Sequence, residues 1–143
     1  MKSRTVLVAY QEDGWVESLV TFLRDAGYRV ERTQLVSDLL KRVRNGAAKV
    51  VLLDDEVEGV KACDIVSLLK RIDGEVQVIG VSSEGSLGSA RRLRWAGIFY
   101  QAMKPVDMEE LRSAVACAFE KIEREESGRW GFWSFLVPGR VPA

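Results

Sequence analysis

Five short apolar runs, each followed by a stretch whose apolar residues recur at helical spacing, constrain the fold more than any other feature of the chain. Thr5-Val-Leu-Val-Ala9 is continuous and rich in β-branched residues, as a strand buried on both faces must be. After it, Trp15, Leu19, Phe22, Leu23 and Ala26 form one stripe of a helix, and Gly27 supplies its left-handed end. A half-polar run from Tyr28 to Leu35 reads as an edge strand. Ser37 is the expected cap of a second helix carrying Leu39, Leu40 and Val43, which Asn45-Gly46 stops. Val50-Val-Leu-Leu53 is the third strand, and Val60 to Ile72 carries the stripe Ile65, Leu68, Leu69 and Ile72. Val76 to Val81 is the fourth strand, with a weaker helix from Ser86 to Trp95. Phe99 to Met103 is the fifth, and Asp107 with Glu110 has capping-box spacing ahead of a helix lined by Leu111, Val115, Ala118, Phe119 and Ile122.

Strict alternation with short connections requires parallel strands joined by right-handed crossovers. The length, 143 residues, suits one α/β domain with a doubly wound, five-stranded parallel sheet in the order 2-1-3-4-5 and three layers, α/β/α. In that order the winding reverses between strands 1 and 3, so a ligand crevice is expected at their carboxyl ends.

Charge and composition remove several classes of function. Basic and acidic residues balance at 21 each, so no global field holds nucleic acid, and no nucleic-acid partner is expected. The chain has no histidine, which excludes His-based metal sites, Ser–His or Cys–His nucleophiles and a phosphohistidine carrier. Cys63 and Cys117 fall on helices expected on opposite faces of the sheet, and both read as small buried hydrophobes in a reducing compartment. No run approaches the ~20 apolar residues of a membrane span, and the N-terminus enters a strand directly. A cytoplasmic location is expected.

At the expected crevice the residues are chemically coherent. Asp54-Asp55-Glu56 follows strand 3, Tyr10-Gln11-Glu12-Asp13 follows strand 1, Ser82-Ser83 ends strand 4, and Lys104-Pro105 ends strand 5. A carboxylate, an acidic neighbourhood, a hydroxyl and an amine on one rim are the groups that phosphoryl chemistry at an aspartate needs.

Over roughly Arg4 to Glu126 the chain resembles the receiver domains of bacterial response regulators, which share the flavodoxin-like fold. The resemblance rests on Val-Leu-Leu-Asp54 with Gly59 beyond it, on Val-Ile-Gly-Val-Ser82, and on Met-Lys104-Pro105-Val-Asp107 followed by Glu-Glu-Leu. It implies Asp54 as phosphoacceptor, Ser82 as switch hydroxyl, Lys104 as phosphoryl clamp and Lys104–Pro105 as a cis peptide. It also implies a phosphorelay partner, either a sensor histidine kinase or a phosphotransfer protein.

The chain departs from that pattern where the family usually has two adjacent carboxylates for magnesium, because Tyr10 and Gln11 stand there. Glu12 and Asp13, with Asp54, are the best remaining ligands, and the expected Mg2+ site is weak. The aromatic switch position is taken by Gln101, with Tyr100 beside it facing the other way. Gly85-Ser-Leu-Gly-Ser89 matches no phosphate-binding fingerprint and reads as a loop.

Two further stretches are candidate interaction surfaces. Arg91, Arg92 and Arg94 cluster on the fourth helix, either as a solvated face or as a docking surface, with Trp95 exposed or packed beneath. The domain is expected to span residues 1–126, and residues 127–143 form an aromatic tail. There Gly128 and Gly131 are expected to turn the chain so that Trp130, Phe132, Trp133 and Phe135 bury themselves on the domain, on a partner or second copy in a homodimer, or on a membrane interface. The leading reading is a stand-alone receiver module with output by protein–protein contact, whose only chemistry is self-phosphorylation and dephosphorylation at Asp54. The alternatives are a phosphorylation-independent pseudo-receiver and, more remotely, a small metal-dependent phosphohydrolase using Asp54-Asp55-Glu56.

Overall fold

A computed structural model of the chain describes residues 4–83 and 85–136, with side chains as far as residue 128. Its elements in order are β1 (Thr5–Ala9), α1 (Val16–Asp25), β2 (Arg29–Thr33), α2 (Val36–Arg44) and β3 (Val50–Asp54). A short hairpin of β4 (Glu56–Val57) and β5 (Val60–Lys61) precedes α3 (Ala62–Ile72). Then come β6 (Gln77–Ser82), α4 (Leu87–Ala96), β7 (Tyr100–Met103) and α5 (Met108–Leu136).

The main sheet runs β2-β1-β3-β6-β7 with every pairing parallel. This is the expected doubly wound order, β6 and β7 being the fourth and fifth strands of the sequence pattern. The hairpin is an addition. Its turn, Glu58-Gly59, has positive φ at both residues (52° and 76°), the geometry that two-residue hairpins favour.

Alternation along the strands splits the core in two. Val6, Val8, Leu52, Ile79 and Val81 face α1 and α5, meeting Leu19, Leu23, Val115 and Phe119. Leu7, Ala9, Val51, Leu53 and Val78 face α2 and α3, meeting Leu39, Ile65 and Leu69, with Leu93 of α4 at the margin. Each of the Val, Leu, Ile and Phe side chains contributes roughly 1.5–3 kcal/mol on burial. In β6, a Cβ at Gly80 would come within 2.7 Å of Ile98 Cδ1, so a larger residue there fits only if the end of that side chain shifts.

Several local expectations are corrected. Ser37 does not cap α2: the helix starts one residue earlier, and Glu58 Oε1 in the hairpin accepts the Val36 N–H at 2.6 Å. Leu68 and Ile72 stay exposed, so the buried stripe of α3 is narrower than its apolar pattern. Cys63 is only half-buried and Cys117 is exposed, because Cys117 lies beside the buried stripe of α5 rather than on it. Helix α4 does begin where Ser86 can cap it, the hydroxyl accepting the Ser89 N–H at 3.1 Å.

The turn expected at Gly128 and Gly131 does not form. Asp107 caps α5 by accepting the Glu110 N–H at 3.2 Å, and the helix then runs through Ser127 and Gly128 to Leu136 instead of turning. Gly128 and Gly131 each cost a helix only about 0.5–1 kcal/mol, and no proline intervenes before Pro138. The side chains of Trp130, Phe132, Trp133 and Phe135 lie outside the described ones, and residues 137–143 lie outside the described residues.

Candidate functional site

The site forms where β3 ends. Asp54 is its last residue and is 2% exposed. The neighbour β1 delivers the loop after Ala9 to one side of the carboxylate, and β7, reached across β6, delivers Lys104 to the other. The backbone N–H of Lys104 donates to the Ser82 carbonyl at 2.8 Å, which fixes the chain as it leaves β7. The Lys104–Pro105 peptide is cis, as the resemblance implied.

Five donors converge on Asp54. Its Oδ1 accepts from the Lys104 ammonium at 2.9 Å and from the Asp55 N–H at 2.8 Å. Its Oδ2 accepts from the backbone N–H groups of Gln11 (3.0 Å) and Glu12 (3.1 Å) and from the indole N–H of Trp15 (3.4 Å). Burial alone would raise the Asp54 pKa. The Gln11 N–H, the Lys104 ammonium and the N–H groups of Glu12 and Asp55 outweigh it and hold the group below its ordinary value. The Trp15 ring also lies against the ammonium, with Lys104 Nζ 5.7 Å from the ring centroid, a cation–π contact.

The surrounding polar groups are tied to one another. Gln11 Nε2 donates to Glu56 Oε1 at 3.0 Å, and Gln11 Oε1 accepts the Gly59 N–H at 3.1 Å. Asp55 accepts the backbone N–H and the hydroxyl of Ser83, at 3.0 and 2.5 Å. Ser82 is buried, and its hydroxyl accepts from Gln101 Nε2 at 3.2 Å. Tyr100 points outward instead, its hydroxyl donating to Glu110 Oε2 at 2.7 Å. So Asp54, Ser82, Lys104 and Gln101 gather on one rim. The Asp54, Asp55 and Glu56 carboxylates form no metal-holding cluster among the described residues: Asp55 is held by Ser83, and Glu56 by the Gln11 side chain. Tyr10 is half-buried against the α1/α5 core.

Residues 6–116 match the family described as the response regulator receiver domain. The chain belongs to that family. As a receiver domain it is a module of two-component signalling. It is 27% identical over 80% of its length to the DNA-binding transcriptional regulator NtrC of Azospirillum brasilense, and spans 24% of that protein. It is 25% identical to Sporulation initiation phosphotransferase F of Bacillus subtilis, with 80% of this chain and 93% of that protein covered. Among solved structures, a CheY-like receiver domain protein from Methanospirillum hungatei superposes with a TM-score of 0.80 at 19% identity, covering 87% of this chain and 99% of that one. The beryllofluoride-activated NtrC4 receiver domain dimer gives 0.77 at 22% identity, over 83% and 98% of the two chains.

Receiver domains generally act as phosphoacceptors rather than enzymes, typically bind Mg2+ at an acidic site, and interact with histidine kinases or phosphotransfer proteins. The residues of this receiver domain do not fit a magnesium ion. Tyr10 and Gln11 are neutral, Glu12 and Asp13 are exposed, and both Asp54 oxygens are occupied by donors. Among the described residues no three acidic, cysteine or histidine side chains stand close enough to hold a metal. Glu12 contributes its backbone N–H to the receiver site, not its carboxylate. The resemblance pointed to Asp54, Ser82 and Lys104 but not to Trp15, whose place in an apolar helical stripe marked it only as core. Among the described residues, no helix of the receiver domain is long and apolar enough to cross a membrane.

Proposed function

We propose that this receiver domain signals through protein–protein contact, with Asp54 held as an ionised, hydrogen-bonded keystone and without magnesium-dependent phosphotransfer. The observation that carries this reading is the occupation of both Asp54 oxygens by five donors where a metal-binding receiver needs anions. A nucleophilic carboxylate must turn a lone pair towards the incoming phosphoryl group. Here that requires giving up charge-assisted bonds worth roughly 1.5–3 kcal/mol each, and no neighbouring carboxylate holds a cation to screen the approaching charge.

A second reading keeps Asp54 as the phosphoacceptor. The Lys104 ammonium at 2.9 Å and the buried Ser82 hydroxyl on the same rim support it, and a histidine kinase or phosphotransfer protein would then supply the phosphoryl group. Incubation with acetyl phosphate, with and without magnesium chloride, followed by intact-mass measurement, separates the two. The first reading expects no phosphoryl adduct in either condition. A stoichiometric adduct that requires magnesium and is absent from Asp54→Asn overturns it in favour of the second.

A further inference from the structure

Helix α4 is held to the domain by little of its own surface. Leu93 is its one buried residue, while Trp95 is 88% exposed and Leu87 66% exposed. Between α3 and α4 lies an open groove of about 490 Å3, lined by Cys63, Asp64 and Ser67 on one side and by Arg91, Arg92 and Trp95 on the other. Trp95 is the most exposed large hydrophobic side chain described.

The charge on this helix is one-sided. Arg91, Arg92 and Arg94 are exposed, and α4 carries no acidic residue along its length. Among the described residues these three arginines enter no ion pair and no side-chain hydrogen bond, whereas Arg4, Arg32, Arg42 and Arg112 are all paired. In a chain of zero net charge, this is a local excess of cations around an open indole. Trp and Arg together in a concave site are the residues that dominate binding energy at protein interfaces.

We propose that the α3–α4 groove docks an acidic amphipathic segment of another protein. Its carboxylates pair with Arg91 and Arg92, and an apolar residue packs on Trp95. Asp64 on the α3 lip gives the groove a polarity: the occupant presents carboxylates towards α4 and a basic or hydroxyl group towards α3. Complementary charge of this kind sets orientation and partner choice as well as affinity. The inference rests on no property of Asp54 and stands whichever reading of that carboxylate holds.

The probe is a fluorescein-labelled synthetic helical peptide, rich in glutamate, with leucine and phenylalanine on one face, titrated into the full chain. Anisotropy follows binding, and the Trp95 indole N–H in a 1H–15N spectrum, assigned with Trp95→Phe, locates it. The expected result is saturable binding, on the order of micromolar, that weakens as salt is added and shifts the Trp95 indole signal. Arg91→Glu with Arg92→Glu, and separately Trp95→Ala, each weaken it at least about tenfold. All three positions are exposed, so the variants keep the parent spectrum elsewhere. A control peptide with lysine in place of each glutamate does not bind. Four results overturn the proposal: no saturable binding of the acidic peptide, equal binding by the variants, preference for a short single-stranded oligodeoxynucleotide, or self-association of the free chain that Trp95→Ala abolishes. The last would assign the groove to a second copy.

Discussion

The indole N–H of Trp15 donates to Oδ2 of Asp54 across 3.4 Å, joining the residue at the N-terminal cap of α1 to the carboxylate at the end of β3. The same ring lies beside the Lys104 ammonium. One aromatic side chain thus touches both members of the central ion pair and also belongs to the α1/α5 core.

Trp15→Phe keeps an aromatic face for Lys104 and much of the packing but loses the indole donor, while Asp54 retains four others. We expect a cost of about 1 kcal/mol. Trp15→Ala removes ring and donor together and should cost about 3–5 kcal/mol. Urea denaturation of both variants measures the difference. A Trp15→Phe variant as stable as the parent would mean that the hydrogen bond contributes nothing, and equal losses in the two variants would mean that the ring's packing contributes nothing.

The depressed pKa of Asp54 ties stability to acid conditions. A carboxyl whose folded pKa lies below its unfolded value, ~3.9, contributes stability that is complete above the unfolded pKa and lost as pH falls through the folded one. Melting temperature should therefore fall as pH drops below about 4. Asp54→Asn should melt lower at neutral pH and converge towards the parent in acid. Asp73 is also held below its ordinary value: burial opposes this, and the Lys49 ammonium and the Glu75 N–H overcome it. Part of the acid dependence therefore survives in Asp54→Asn and should shrink further in the double variant with Asp73→Asn, the remainder including Asp38, whose carboxyl the Thr33 hydroxyl and Arg42 also hold below its ordinary value.

Lys104→Met should destabilise the domain by about 2 kcal/mol. This is less than the loss expected for a fully buried pair, because the Lys104 side chain is 18% exposed and Asp54 keeps its N–H donors. The loss in the double variant with Asp54→Asn should fall short of the sum of the single losses by about 1 kcal/mol. A double-mutant cycle from denaturation curves tests this, and strict additivity would show the pair to be uncoupled.

Calorimetry at millimolar magnesium should detect no binding to the parent chain. Tyr10→Asp with Gln11→Asp supplies the missing anions and should bring measurable affinity. It should also lower stability, since Gln11 loses its bonds to Glu56 and Gly59 and like charges crowd Asp54. Binding by the parent would show that Glu12 or Asp13 turns into the site.

Ile122 is the last buried residue of α5 among the described side chains. A chain ending at Glu126 keeps every described core contact and should unfold within about 0.5 kcal/mol of the full chain. A larger loss would place residues 127–143 against the domain.

The alternation of β-branched runs and helical stripes was legible in the sequence because it is periodic and local: each element shows its buried face in its own residues. Sheet order and the handedness of the crossovers then carried Asp54, Ser82 and Lys104 to one rim. The donors that saturate Asp54 were not legible, because most come from backbone N–H groups, which all residues but proline possess and which become a cradle only when a loop is folded around an anion. Trp15 gave no polar signal for a related reason: an indole in an apolar stripe reads as packing until the tertiary structure turns its N–H towards a carboxylate. The exposure of Trp95 was equally hidden, since sequence spacing names a helix face but not whether the domain has surface left to cover it. Local pattern determined the fold and the place of the site. The direction in which each polar group points was decided by tertiary contacts, because hydrogen bonding depends on position and angle in space and not on order along the chain.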